Sequence, residues 1–258
     1  MPDERQDSLI PVRFLKPPVQ RVELTVHFVA SDAVQASHVA PLRELWIGSY
    51  PKVTERAPTP ADDVPSDRIS VVDEESHWPI PYTRYSSSVN RRSVAYQGDR
   101  FTVSWGFDEE SGAPYPGFDS LFQTMQEEFG VFSDVLMRSD IKIGIVRSNC
   151  RYSNRIQGLS ASQLAVGVLT RWKGQLDVAD MDSDYVGVRL HSDDDNRRNC
   201  ASLVSVDAHV GQDPMLTISV TQSGETEKLN GIAVAHDEVI DKFLSYTSPT
   251  QHESWGRI

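Results

Sequence analysis

Three short runs in fixed order constrain this chain more than any other feature. They are Arg100-Phe101-Thr102-Val103-Ser104-Trp105, Tyr115-Pro116-Gly117-Phe118 and Arg151-Tyr152-Ser153-Asn154-Arg155-Ile156. The first sets Phe101, Val103 and Trp105 on one side of a strand, because side chains alternate across a pleated backbone. The second is a turn that opens a helix. Phe118, Leu121, Phe122, Met125, Phe129, Phe132 and Leu136 then recur at helical spacing, the clearest amphipathic stretch in the chain. The third continues a strand begun over 141–147. An apolar helix stripe between two half-apolar strands has to be buried on a sheet, which predicts an α+β fold.

The flanking sequence fits that scheme. Val22, Leu24, Val26 and Phe28 alternate with polar residues after Pro17-Pro18 and predict a strand. Ser31 or Asp32 can cap a helix through Leu42, Leu45 and Trp46, with Pro41 in its first turn or at a kink. Pro51 to Pro65 is rich in proline and acid and reads as an extended loop, with a short strand within 66–75. Residues 80–97 and 100–107 read as a hairpin turning at Gly98-Asp99. Ser160 to Ser162 can cap a short helix near Leu164 and Leu169. Strands follow over 185–191, 200–210 and 215–223, with a turn at Asp213-Pro214 that predicts an antiparallel meander. A last helix spans about Ala233 to Tyr246, with Trp255 packed behind it. The expectation is an arm over 1–17 and one α+β domain over 18–258, an antiparallel sheet with helices on one face. Two related lobes, 18–112 and 113–258, fit the recurrence of helix and strands.

Composition narrows the function. Among 258 residues, 25 Lys and Arg face 37 Asp and Glu, a formal charge of −12. That opposes general affinity for nucleic acid or an anionic membrane, since phosphate binding draws on clustered cations. The first residues are charged with no apolar core of a signal peptide, and no apolar run reaches a membrane span. These features predict a soluble, cytoplasmic protein. Cys150 and Cys200 match neither a metal spacing nor a redox pair. A disulfide between them is one reading; two buried thiols in a reducing compartment is the favoured one.

Motifs for chemistry fail on inspection. Asp180-Met181-Asp182-Ser183-Asp184 starts like a calcium loop, but Tyr185 stands where glycine is needed and His191 where a bidentate glutamate belongs. Gly158-Leu159-Ser160-Ala161-Ser162 lacks the second glycine of a nucleophile elbow. In Ser49-Tyr50-Pro51-Lys52, Pro51 breaks the turn that would bring Lys52 to Ser49. No metal, cofactor or catalytic residue is predicted. His209 and His236 read as structural histidines.

The polar set of interest is cationic. If 147–155 is extended, Arg147, Arg151 and Arg155 share one side. Arginines on one sheet face can clamp a carboxylate, a phosphate or an acidic partner. Tyr152 and Asn154 are candidate polar helpers, Arg138 and Lys142 extend the set in sequence, and Arg91, Arg92 and Arg100 are candidate neighbours. Ordinary pairing with the abundant acids is the competing explanation.

Taken in order, Pro17-Pro18 before a strand, Tyr50-Pro51-Lys52-Val53, Phe101 to Trp105, Tyr115-Pro116-Gly117-Phe118, Asn154-Arg155-Ile156, and a last helix with His236, Phe243 and Trp255 form a pattern. It resembles a sporadically distributed bacterial family of uncharacterised soluble proteins, from about residue 17 to the end. Arg147-Ser148-Asn149-Cys150 departs from that pattern in being more polar. The resemblance implies a bacterial accessory protein, of the kind found beside defence or toxin–antitoxin genes, and supplies no catalytic residues. The expected function is therefore a non-catalytic binding or regulatory protein with a protein partner, which can also self-associate through a sheet edge. The alternative is an enzyme, or a nucleotide- or anion-binding sensor, built on the arginine-rich strand.

Overall fold

The computed structural model describes residues 14–29, 34–58, 80–109, 114–173, 185–193, 199–209, 211–224 and 229–258. The first half runs β1 (Val19–Phe28), α1 (Ala36–Val39), α2 (Leu42–Trp46), β2 (Lys52–Arg56), β3 (Tyr82–Ser86), β4 (Arg92–Gln97), β5 (Arg100–Gly106) and α3 (Phe118–Met137). The second runs β6 (Ile145–Arg155), α4 (Ala161–Thr170), β7 (Tyr185–Asp193), β8 (Cys200–His209), β9 (Met215–Ser223), α5 (Asn230–Tyr246) and α6 (Pro249–Ser254). The strands form one nine-stranded sheet in the order β2-β3-β4-β5-β1-β6-β9-β8-β7. Every pairing is antiparallel. The fold is α+β.

The two halves trace the same path. Each begins with a strand at the sheet centre, β1 or β6, and crosses by way of helix to an outer edge. Each then returns inward as a meander that ends beside its own first strand, and closes with a long helix. β1 and β6 pair along the seam, with Val22 opposite Tyr152 and Leu24 opposite Cys150.

Alternation decides which face is covered. Val22, Leu24, Val26 and Phe28 of β1, Phe101, Val103 and Trp105 of β5, and Leu216, Ile218 and Val220 of β9 are all buried on the helical side. α3 lays Phe132 over Phe101 and Tyr96, with ring centroids 5.2 Å and 5.7 Å apart. Burying one such side chain contributes about 1.5–3 kcal/mol relative to exposure. Trp46 of α2 packs against Tyr85, Tyr96 and Phe101, and its indole N–H donates to Glu128 of α3 at 2.7 Å. α5 lies over β6 and β9, where Gly231 makes the approach possible. A Cβ there would stand 2.6 Å from both Ser148 Oγ and Gln222 Oε1.

Several sequence expectations need correction. The helix expected through Leu42 and Trp46 is two short helices, with Pro41 at the N-cap of α2. Its ring removes an N–H donor, and the chain restarts there. α1 is capped by Gln35, which is boxed with His38, while Ser31 and Asp32 lie outside the described residues. The run 80–97 is two strands, broken at the serine run by a turn in which Arg91 takes a φ of 59° and Asn90 Oδ1 accepts from Arg92 N–H. Lys52–Arg56, read as loop, is a strand; as an edge strand it buries little, so its sequence lacks apolar alternation. Residues 141–144 are not strand, and α5 starts three residues before Ala233. The strand expected within 66–75 and the arm up to residue 13 lie outside the described residues. Cys150 and Cys200 are both buried thiols with no disulfide between them.

Candidate functional site

The face of the sheet opposite α3, α4 and α5 has a polar floor. Its residues are those between the core positions, and most are short. Ser93 and Ser104 hydroxyls lie 2.7 Å apart, Thr25 and Thr102 2.9 Å apart, and Thr217 donates to Ser153 at 3.0 Å. The Asn149 amide donates to the Ser219 and Thr221 hydroxyls at 2.9 Å each. Cross-strand pairing of this kind satisfies the floor internally and holds it rigid.

Long cationic side chains rise from that floor. A depression of about 320 Å³ is lined by Arg21, Glu23, Thr25 and His27 of β1, Arg100 and Thr102 of β5, Asn149, Arg151 and Ser153 of β6, and Arg56 and Tyr82 from β2 and β3. A second, of about 440 Å³, shares Arg21, Arg56 and Tyr82 with it and continues to Lys52, Arg84 and Arg91. The two form one trough. β2 and β6 stand five strand steps apart in the sheet, about 24 Å were it flat. One depression lined by both Arg56 and Arg151 therefore requires the sheet to curve toward this face.

The pairing of these cations is uneven. Arg100 is held by Asp99 at 2.9 Å and 3.0 Å, Arg91 by Asp108 at 2.7 Å, and Arg21 by Glu23 at 2.7 Å. Burial pushes the Asp99 carboxyl up, but Arg100 and Gln97 outweigh it and hold the group below the usual carboxylate range. Among the described residues, Lys52, Arg56, Arg84 and Arg151 have no ion pair. Arg56 lies over the Tyr82 ring at 4.2 Å, and Arg84 donates to Ser93 at 3.0 Å. Unpaired cations occur elsewhere on the surface; these four share one concavity.

β6 divides the residues singled out from sequence. Arg147, Arg151 and Arg155 all face the polar side, as period two requires, but only Arg151 lines the trough. Arg155 is paired with Glu109 at 2.9 Å, and Arg147 stands opposite His27 at the other end of the strand. Tyr152 and Asn154 point the other way. Tyr152 is buried beneath the helices with its hydroxyl 2.7 Å from that of Tyr115, and the Asn154 amide donates to the Leu216 carbonyl at 3.3 Å. Of the suggested neighbours, Arg91 and Arg100 line the trough; Arg92 also borders it, but its guanidinium reaches α3 and donates to Thr124 and Ser120 at 2.7 Å each. Arg21, Lys52, Arg56 and Arg84 were not anticipated. Arg21 was legible from the alternation of β1; the others needed β2 and β3 to be recognised as strands facing this side.

The helical face holds the groups that resemble reactive ones, and burial keeps them neutral. It pushes up the Cys150 thiol and the Tyr50, Tyr115 and Tyr152 hydroxyls. His236 stacks on Phe118 with centroids 3.7 Å apart, and burial lowers its pKa against the opposing pull of Asp237. Among the described residues no group of three His, Cys, Asp or Glu is placed to hold a metal, and no helix is long and apolar enough to cross a membrane. Asp180 to Asp184, the calcium-like run, lies outside the described residues.

No protein-family model, curated protein or solved structure matches this chain.

Proposed function

We propose that this protein is a non-catalytic binding or regulatory protein that docks a protein partner on its open sheet face. The observation that supports this most is the set Lys52, Arg56, Arg84 and Arg151. These four cations have no ion pair with a carboxylate of the described residues, yet they line one trough over a hydroxyl floor. Such a surface is built to receive charge from elsewhere. The alternative, an enzyme or nucleotide sensor on β6, loses two of its residues, because Tyr152 and Asn154 face the core. We take the family resemblance to mean a bacterial accessory protein, with defence or toxin neutralisation as one setting.

The test is affinity purification of tagged chain from its source cells, wild type beside R56E/R151E, with mass spectrometry. A stoichiometric protein held by the wild type and lost from the variant supports docking on this face. A partner retained equally by both, or a nucleotide in its place, overturns it.

A further inference from the structure

We infer that the recognition element taken by the trough is an extended acidic segment of polypeptide, at most about seven residues long, lying across the strands rather than along them. This rests on the docking reading above and specifies its chemistry.

Length comes from the sheet. The trough cations that have no ion pair among the described residues run from Arg151 on β6 to Arg84 on β3 and to Arg56 and Lys52 on β2. Five strand steps span about 24 Å, and an extended chain advances about 3.3 Å per residue, which gives roughly seven residues. Curvature of the sheet shortens the chord, so seven is an upper length. Orientation follows from the pairing. The backbone groups of β1, β4, β5 and β6 are already spent on two neighbouring strands each. A ligand on this face therefore cannot add to a ladder and has to be held by side chains.

Charge sets the composition. Successive side chains of an extended segment point to opposite sides, so only alternate positions face the trough. Acids at those positions meet guanidinium groups that accept carboxylates in a forked geometry. Asn149, Thr25 and Thr102 on the floor keep their existing partners and add polarity without charge.

A single-stranded nucleic acid would also bring regularly spaced anions, but such ligands gain much of their affinity by stacking bases on aromatic rings. The rings lining this trough are His27 and Tyr82, and Tyr82 is already covered by Arg56. The overall charge of −12 repels a long polyanion beyond the trough, whereas a short acidic segment carries its charge only where the cations are.

The experiment is fluorescence anisotropy on the full chain with three labelled probes: a heptapeptide alternating Glu and Ser, a thymidine pentanucleotide of the same charge, and ATP. We expect the peptide to bind most tightly, more weakly as salt rises from about 50 to 300 mM. The R56E/R151E variant should lose about tenfold or more in affinity, and R138E, whose exposed side chain sits at the end of α3, should match the wild type. Melting curves of both variants confirm that they are folded. Peptide binding that is equal in R56E/R151E overturns the inference. No peptide binding, with a cellular partner still captured by the wild type and lost from R56E/R151E, overturns the extended segment but leaves the docking face standing. Tighter binding of the oligonucleotide or ATP overturns both.

Discussion

Glu23 and Arg151 stand directly opposite each other across the β1–β6 seam, yet they are not an ion pair. Glu23 takes its partner from its own strand, Arg21, at 2.7 Å, and Arg151 stays exposed. Glu23, the one acid among the described residues that line the trough, is thus neutralised by one arginine and leaves the other available.

Removing that acid should sharpen the site. E23Q frees Arg21 and removes a like charge from beside an acidic ligand. Repulsion at about 4 Å in water is roughly 1 kcal/mol, so the affinity for the alternating Glu/Ser heptapeptide should rise about fivefold. Stability should change by about 1 kcal/mol or less, because the pair reaches solvent, with Arg21 49% and Glu23 21% exposed. Titration and thermal melts of the same preparation check both; a weaker complex would show that Glu23 contacts the ligand.

The tie between α2 and α3 should be costly to break. Glu128 accepts from the Trp46 indole at 2.7 Å and from the Tyr50 hydroxyl at 2.9 Å. E128A leaves both donors unpaired in a mostly buried setting and should cost about 2–3 kcal/mol. E128Q keeps one acceptor oxygen and should cost about half as much. Urea unfolding measures the difference.

Gly231 should tolerate no side chain. With a Cβ there 2.6 Å from Ser148 Oγ and Gln222 Oε1, G231A forces α5 away from β6 and β9 at a cost of about 1–3 kcal/mol. Shortening the obstructing side chains in G231A/S148G/Q222A should recover part of the loss. If G231A melts like the wild type, the packing of α5 described above is wrong.

Acid should destabilise the fold through two histidines. Burial lowers His236, and burial with nearby Arg257 lowers His252. A folded-state pKa below the ordinary 6.5 means the unfolded chain takes up protons first as pH falls. The contribution is complete above pH 6.5 and is lost progressively below it. The melting temperature should therefore hold above about pH 6.5 and fall as the pH drops from there toward about 5. The decline should be shallower in H236F/H252Q, where Phe preserves the stack on Phe118 and Gln keeps polarity beside Thr247.

Much of this architecture is legible without coordinates, for identifiable reasons. β1, β5 and α3 each bury a full face, so apolar residues recur at period two or 3.6 and announce themselves. Ser160 caps α4 in a box with Gln163, a purely local signal. β2 was invisible because an edge strand that packs only Val53 toward the core carries no apolar rhythm. The split of β6 was half legible. Period two grouped Arg147, Arg151 and Arg155 correctly, and the same rule sends Tyr152 and Asn154 to the opposite side. The trough itself was beyond reach. Arg56 and Arg151 are neighbours only because the sheet curves, and curvature is a property of the whole sheet rather than of any segment.

The central seam also dictates how this molecule can be made. β1 lies far ahead in the chain of the strand that closes its inner side, β6, which begins only at Ile145, after α3. Until then β1 presents an open ladder of amides and carbonyls beside a fully apolar flank. Any nascent or truncated chain that stops short of β6 carries that adhesive edge. Completion of the second half is what renders the first half safe from clumping, so the two cannot be parted without consequence.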